Sequence, residues 1–154
     1  MGISAFYLIK ALLLIALSCI AAAYDFKTKR IPNILVMIMV LLWLFVTLIL
    51  LLFDTAKGLV VLIDSLYGLL IGGGLFMLVY IISRKGLGGG DVKFMAAAGL
   101  YLGLAETIPV ILYGTLSAAL TGLVLILLKK IGRKDTIPLV PFLLFGIVIT
   151  TLLQ

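Results

Sequence analysis

Residues 34–53 read ILVMIMVLLWLFVTLILLLF, a run without a single charged side chain. An α-helix rises about 1.5 Å per residue, so a run of this length can cross the roughly 30 Å hydrocarbon core of a bilayer. Of the 154 residues, 65% are hydrophobic and 12% are charged, whereas soluble domains are about half apolar and one quarter charged. The chain is therefore predicted to be an integral membrane protein.

Other apolar stretches lie on both sides of this run. With it they cover residues 5–24, 34–53, 59–82, 92–104, 108–128 and 137–153. Their continuous hydrophobicity, without alternation of polarity, disfavours a closed β-barrel. The stretch 92–104 is too short to span on its own, so it begins within the preceding glycines, is tilted, or is partly re-entrant. We expect an all-α integral membrane protein of about six transmembrane helices, forming a single polytopic domain over residues 1–154.

Basic residues are concentrated in alternate connections. The first apolar stretch is followed by Lys27, Lys29 and Arg30, the glycine run is flanked by Arg84, Lys85 and Lys93, and the fifth stretch is followed by Lys129, Lys130, Arg133 and Lys134. By the positive-inside rule these connections are predicted to face the cytoplasm, with both termini outside, in a multi-pass protein of the plasma membrane. The net charge of +6 then reflects topology and contact with anionic membrane lipid, without a need for nucleic acid.

Several kinds of active site are excluded by composition. The chain has no histidine, so it lacks a serine–histidine pair, a cysteine–histidine pair and an HExxH zinc site. Its single cysteine, Cys19, provides neither a disulfide nor a cysteine-rich metal site. The glycines of residues 86–91, GLGGGD, lack the spacing of a nucleotide-binding motif. We therefore predict no metal and no cofactor, and any chemistry must use carboxylates or lysines.

Four of the six acids have ordinary explanations. Asp54 and Glu106 fall in outer connections, and Asp135 lies in a basic cytoplasmic connection where a solvated salt bridge is expected. Asp64 lies about five residues inside the outer end of the third stretch. Pairing with a neighbouring helix is favoured there over a role as a proton relay.

Asp25 and Asp91 are the remaining acids, and both border apolar stretches on the predicted cytoplasmic side. Two carboxyl groups near one water do not both ionise readily, so one can serve as general base while its protonated partner acts as general acid. Three glycines, Gly88, Gly89 and Gly90, precede Asp91 and would let the backbone approach an extended substrate closely. The alternative is a flexible loop in which Asp91 caps the following helix.

Three segments resemble a known family. GLGGGDVKFMAAAGLYLG (residues 86–103) is similar to the GxGD signature of the type IV prepilin peptidases, which are membrane aspartic proteases. DFKTKRIPN (25–33) resembles the stretch around the first catalytic aspartate of that family. IPLVPFLLFG (137–146) looks like a third family element before the last span. The segments occur in the family's order over nearly the whole chain.

This resemblance implies an aspartic endopeptidase that removes the short basic leader from type IV prepilin-like or flagellin-like precursors in pilus assembly or protein secretion. It implies Asp25 and Asp91 as the catalytic pair at the cytoplasmic face. Gly88, Gly89, Gly90 and Lys93 would be substrate-binding or loop-supporting residues. Larger members also N-methylate the new terminus through an extra cysteine-bearing region. This sequence lacks that region, so it is more similar to the short peptidases, of bacterial or archaeal type.

Two other functions remain open from the sequence. A small ion-coupled transporter would use Asp64 and Asp91 as a proton pathway beside a glycine-broken segment. A non-catalytic assembly factor of a pilus or secretion system would not need its acids.

Two further patterns concern packing. Gly68 with Gly72, and Gly99 with Gly103, have the small-xxx-small spacing that permits close helix packing. Lys10, about six or seven residues from the outer end of its stretch, is expected to snorkel toward that surface.

Overall fold

The protein is all-helical in the part that the computed structural model describes, residues 3–83, 86–130, 132 and 137–153. Its helices are α1 (Ile3–Thr28), α2 (Asn33–Phe53), α3 (Thr55–Ile82), α4 (Gly89–Leu127) and α5 (Val140–Leu152). The first four are long and apolar enough to cross a membrane, and α5 is shorter, with 13 residues. The predicted all-α membrane protein is confirmed at this level. Arg84, Lys85, Arg133, Lys134 and Asp135 lie outside the described residues.

The first helix continues past the apolar stretch that predicted it. That stretch stopped at residue 24, but α1 runs on to Thr28 and so includes Asp25. The helix ends where Lys29 adopts a positive φ of 51° and its N–H bonds the Asp25 carbonyl oxygen at 2.8 Å. Pro32, in extended conformation, then precedes α2. Helix ends follow backbone hydrogen bonding and capping rather than side-chain polarity, so the charged residues belong to the helix.

The starts of α3 and α5 also differ from the predicted boundaries. Helix α3 begins at Thr55 because Asp54 caps it, accepting the Lys57 N–H at 3.2 Å. Helix α5 begins at Val140 rather than residue 137, with Pro141 in its first turn. Proline favours the first turn of a helix because its missing N–H has no intrahelical partner there.

The fourth and fifth apolar stretches both lie in α4. Three alternatives were open for the stretch 92–104. The helix begins at Gly89, so the structure agrees with the first of them, a start within the preceding glycines. It is interrupted at Gly103, whose φ of 72° and ψ of −173° are not helical. This backbone conformation is one that glycine adopts far more readily than residues with a Cβ.

The chain reverses direction at Gly103. Met95 O and Thr107 Cγ2 lie 2.7 Å and 3.4 Å from the point where a Cβ on Gly72 would stand. In a straight helix, residues 95 and 107 would be about 18 Å apart. The two halves of α4, residues 89–102 and 104–127, therefore run antiparallel to each other along α3.

Glycines let these helices touch backbone to backbone. A Cβ on Gly68 would overlap the Gly99 carbonyl oxygen, and a Cβ on Gly99 would overlap that of Gly68. Gly146 of α5 likewise faces the second half of α4, since its Cβ would lie 2.6 Å from Val110 O. The close packing predicted from the spacing of Gly68 with Gly72 and of Gly99 with Gly103 is confirmed by the contact of Gly68 with Gly99.

Side chains from all five helices form the main core, and Phe6, Leu50 and Val61 form a smaller cluster. The residues with little or no exposure include Leu14, Met39, Phe94, Ala98, Val110, Leu143 and Ile147. Large apolar side chains also remain exposed on the outer faces, such as Leu41, Leu70, Ile81 and Leu116. Exposed apolar faces of this extent suit helices surrounded by lipid.

Substitution at Gly68 tests the close contact of α3 with α4. Gly68→Ala is expected to destabilise the protein by about 1–3 kcal/mol, because the added methyl overlaps backbone that cannot move aside easily. Gly74→Ala on the same helix is the matched control, because a Cβ there meets nothing within 4 Å. The measurement is the thermal unfolding midpoint in detergent. Equal midpoints for the two variants would contradict the packing described here.

Candidate active site

Asp25 lies in the last turn of α1 and is almost completely buried, with 4% of its surface exposed. Its Oδ2 accepts a hydrogen bond of 3.0 Å from the backbone N–H of Val140, the first residue of α5. The carboxyl group therefore joins the end of α1 to the start of α5.

Asp91 lies in the first turn of α4. Its Oδ2 accepts the Gly88 N–H at 3.2 Å, and its own N–H bonds the Gly88 carbonyl oxygen at 3.1 Å. The side chain thus caps the helix, as the alternative view of the glycine segment anticipated. Capping uses one carboxylate oxygen, so the other oxygen can serve a second role.

The two acids meet in one cavity. Its volume is about 250 Å³, and both carboxyl groups belong to its lining. They are near enough to interact electrostatically. Among the described residues, its lining is Asp25, Lys29, Arg30, Ile31, Asn33, Gly88, Gly89, Gly90, Asp91 and Lys93. All of the residues predicted for the site from the sequence therefore lie together at one end of the bundle.

The three glycines have different surroundings. A Cβ on Gly88 would lie 2.9 Å from Asp91 Oδ2, and a Cβ on Gly90 would lie 3.3 Å from the Cβ of Ile31. A Cβ on Gly89 would have Tyr80 Cε2 as its nearest neighbour, at 4.0 Å. Gly89 and Gly90 belong to the first turn of α4, so the expectation of a loose loop is wrong for these two residues.

Lys93 connects α4 to α2. Its Nζ donates a hydrogen bond of 3.0 Å to Asn33 Oδ1 at the start of α2. This bond lies at the cavity wall, since both residues line it. The sequence placed Lys93 at the site but gave no partner for it.

The other described acids lie away from this cavity. Asp54 forms an exposed ion pair with Lys57, 2.6 Å between Nζ and Oδ2, and this neighbour lowers the pKa of the Asp54 carboxyl. Asp64 Oδ1 accepts the Leu104 N–H at 3.0 Å, beside the break at Gly103. The predicted pairing of Asp64 with a neighbouring helix is confirmed.

Lys10 does not reach the surface as predicted. It is only 4% exposed, and its Nζ lies 3.5 Å from Ser65 Oγ, which also accepts the Trp43 indole N–H at 3.2 Å. Its ammonium stands 5.7 Å from the centre of the Phe6 ring. The snorkelling prediction was wrong because the bundle interior offers polar and aromatic partners.

The bond from Val140 to Asp25 was not anticipated from the sequence. The segment IPLVPFLLFG was singled out, but nothing in its residues specified a backbone donor for an acid 115 positions earlier. The pattern of side chains in a sequence does not show which backbone groups a carboxylate will contact. The two prolines around Val140 were the one available signal that a helix starts there.

Comparison with known proteins identifies the family. Residues 12–127, which include both cavity acids, match the model of the type IV leader peptidase family. Over 123 residues the chain is 35% identical to a prepilin leader peptidase/N-methyltransferase of Escherichia coli strain K12, covering 77% of this chain and 50% of that protein. Over 149 residues it is 29% identical to a Bacillus subtilis strain 168 protein of the same name, covering 94% of this chain and 56% of that protein.

The chain spans about half the length of these curated relatives. No solved structure matches it significantly. The family match nevertheless covers most of the sequence and contains the cavity. The chain belongs to the type IV leader peptidase family.

Proposed function

We propose that this protein is a membrane aspartic endopeptidase that cleaves the short basic leader from type IV prepilin-like or flagellin-like precursors. Asp25 and Asp91 are the catalytic pair. The observation that carries the proposal is their meeting, from α1 and α4, in one cavity at one end of the bundle. Membership of the leader peptidase family gives the substrate class.

The pair can activate water and stabilise the leaving chain. One carboxylate takes a proton from a water molecule as the water oxygen attacks the peptide carbonyl carbon. The protonated partner donates to the carbonyl oxygen, where negative charge develops. Collapse of the tetrahedral intermediate breaks the C–N bond, and the amine leaves with a proton from the pair. The proton belongs to the two acids jointly, because strongly coupled groups titrate as a unit.

Backbone hydrogen bonds support this chemistry by fixing one oxygen of each acid. Val140 N–H holds Asp25 Oδ2 and Gly88 N–H holds Asp91 Oδ2. Both bonds restrict carboxyl rotation, and positioning of reacting groups is a large part of enzymatic rate enhancement. Gly88, Gly89 and Gly90 keep the cavity wall beside Asp91 free of side chains, so that an extended peptide can come close.

We further propose that the site faces the cytoplasm and that six segments cross the membrane, the two halves of α4 counting separately. The end of the bundle with both acids carries Lys27, Lys29, Arg30 and Lys93, and Lys57 lies at the other end, beside the start of α3. The positive-inside rule supports a cytoplasmic position for the more basic end, and hence chain ends outside. Lipid contact is expected on the exposed apolar faces.

The alternative function of a small ion-coupled transporter receives less support. It needs Asp64 and Asp91 along one pathway, but Asp64 contacts Gly103 and Leu104. These residues lie at the break that follows the first half of α4, and Asp91 lies in the first turn of that half, so the two acids are at opposite ends of a helical segment of about 20 Å. A non-catalytic assembly factor is distinguished by the following experiment.

Removal of either charge should abolish cleavage. Asp25→Asn and Asp91→Asn are each expected to lower the rate of leader removal by at least about 10²–10⁴-fold, because each variant deletes one member of the acid–base pair. The assay is mass spectrometry of a co-expressed prepilin-like precursor in membranes. Asp54→Asn is the control, since Asp54 is paired at the other end. Normal processing by either of the first two variants would refute the catalytic pair.

Substitutions at the three glycines before Asp91 should lower the cleavage rate by different amounts. Gly88→Ala is expected to lower cleavage by about 10²-fold, because its methyl displaces the Asp91 carboxyl and small displacements of reacting groups are costly. Gly90→Val should abolish cleavage by pressing on Ile31, with the protein still inserted. Gly89→Ala should cause the smallest loss, since the nearest atom to its Cβ would be Tyr80 Cε2 at 4.0 Å, an ordinary contact distance. Rates are compared at equal amounts of membrane-inserted protein, and equal losses at all three positions would contradict this description.

A further inference from the structure

Two grooves lie beside the start of α1, at the end of the bundle opposite the two acids. The α1–α3 groove has a volume of about 320 Å³, and the α1–α2 groove has a volume of about 350 Å³. Phe6 and Leu50 line both grooves and are themselves buried, so they form the wall between them. Phe6 precedes Asp25 on the same helix by 19 positions, or about 28 Å. The grooves are therefore separate from the proposed active site.

The walls of both grooves are mainly apolar. Helix α3 contributes Ala56, Val60 and Val61 to the α1–α3 groove, and α2 contributes Val46, Ile49 and Phe53 to the α1–α2 groove. Each volume equals on the order of ten groups of the size of a water molecule, which is the bulk of much of one acyl chain. Apolar grooves of this size, open on the outer faces of helices that cross a membrane, suit hydrocarbon chains.

An ion pair lies where the two grooves meet. Lys57 lines both of them and Asp54 lines the α1–α2 groove, with 2.6 Å between Lys57 Nζ and Asp54 Oδ2. Both side chains are partly exposed. An ammonium has three donors and a carboxylate has about four acceptor sites, so the pair can bind a further group of each charge. Tyr7, half exposed, lines the α1–α3 groove, and tyrosine is enriched at the level of lipid headgroups.

We propose that the two grooves bind one diacyl phospholipid with a zwitterionic primary-amine headgroup, phosphatidylethanolamine, with one acyl chain in each groove. Lys57 donates to the phosphate, and Asp54 accepts an N–H of the headgroup ammonium. Two apolar grooves that meet at one ion pair match two chains joined to one headgroup. The site is independent of the proposed peptidase activity, because it lies at the other end of the bundle.

Other occupants fit these features less well. An anionic headgroup such as phosphatidylglycerol has no cation for Asp54, and its net charge is repelled by that carboxylate. The choline headgroup has a cation without N–H donors. A helix of another protein or of a second copy is about 10 Å across and needs one continuous trough, whereas Phe6 and Leu50 divide this surface in two.

The test is native mass spectrometry of the purified protein in detergent with one added lipid at a time. The lipids are phosphatidylethanolamine, its single-chain lyso form, phosphatidylcholine and phosphatidylglycerol, with matched chains. One phosphatidylethanolamine is expected to bind about tenfold more tightly than the other two diacyl lipids, because each lacks one charged hydrogen bond. The lyso form should bind at least about tenfold more weakly, because it leaves one groove empty. The thermal unfolding midpoint should rise with phosphatidylethanolamine concentration.

Two variants separate the headgroup from the chains. Lys57→Met should weaken phosphatidylethanolamine binding about tenfold by removing the donor to the phosphate. Ala56→Trp should fill the α1–α3 groove, which Ala56 lines from the exposed first turn of α3, and so lower the affinity of the diacyl lipid to that of the lyso form. Leu116→Trp is the matched control, because Leu116 is 55% exposed on α4 and lines neither groove. Its lipid affinities should equal those of the wild-type protein.

Several results would overturn the proposal. Equal binding of the three diacyl lipids by the wild-type protein would show only non-specific contact with surrounding lipid. Equal binding of the diacyl and lyso forms would show that the two grooves do not act together. If Ala56→Trp changed the oligomeric state and left lipid binding unchanged, the surface would belong to a second copy of the chain. None of these results bears on leader cleavage, which is tested by the variants of Asp25 and Asp91.

Discussion

The reversal of α4 at Gly103 is the constraint on which the site depends. If α4 continued straight through its 39 residues, it would extend nearly 60 Å and carry its second half away from the bundle. With the reversal, residues 104–127 return toward the end that contains Asp25. The segment that follows can then begin α5 beside that acid, where Val140 donates its N–H. A glycine remote from the cavity thus determines which backbone group the buried carboxyl meets.

A polar cluster stabilises the reversal from within the apolar bundle. Asp64 accepts the first N–H after the break, that of Leu104, in a region where an unpaired backbone donor is costly. Lys10 interacts electrostatically with Asp64 and with Glu106, and its ammonium lies within 3.5 Å of Ser65. Charged groups inside a membrane protein are expensive unless they are paired. Asp64 therefore has a structural explanation here that does not require it to carry protons.

The sequence predicted this protein's helices well and its contacts less well. Uninterrupted apolar runs identified α1 to α4 because the length of such runs is set by the bilayer. Their ends were misjudged at Asp25 and Thr55, where capping and backbone conformation outweigh polarity. The convergence of Asp25 with Asp91 was predicted from a shared membrane face, and the structure brings them to one cavity. The partners Val140, Asn33 and Ser65 were not predictable, because hydrogen bonds across such long separations leave no periodic signal.

Helix starts explain how two acids can stand together in so confined a space. Asp91 occupies the first turn of α4, and Asp25 accepts the N–H of the first residue of α5. The first N–H groups of a helix have no partners within it and carry partial positive charge, so they stabilise a nearby carboxylate. Two helix starts converging on one cavity thereby offset part of the desolvation and mutual repulsion of the acids. Because each start is fixed by its own local sequence, GLGGG before Asp91 and the prolines around Val140, the fold can hold both carboxyl groups side by side in the cavity.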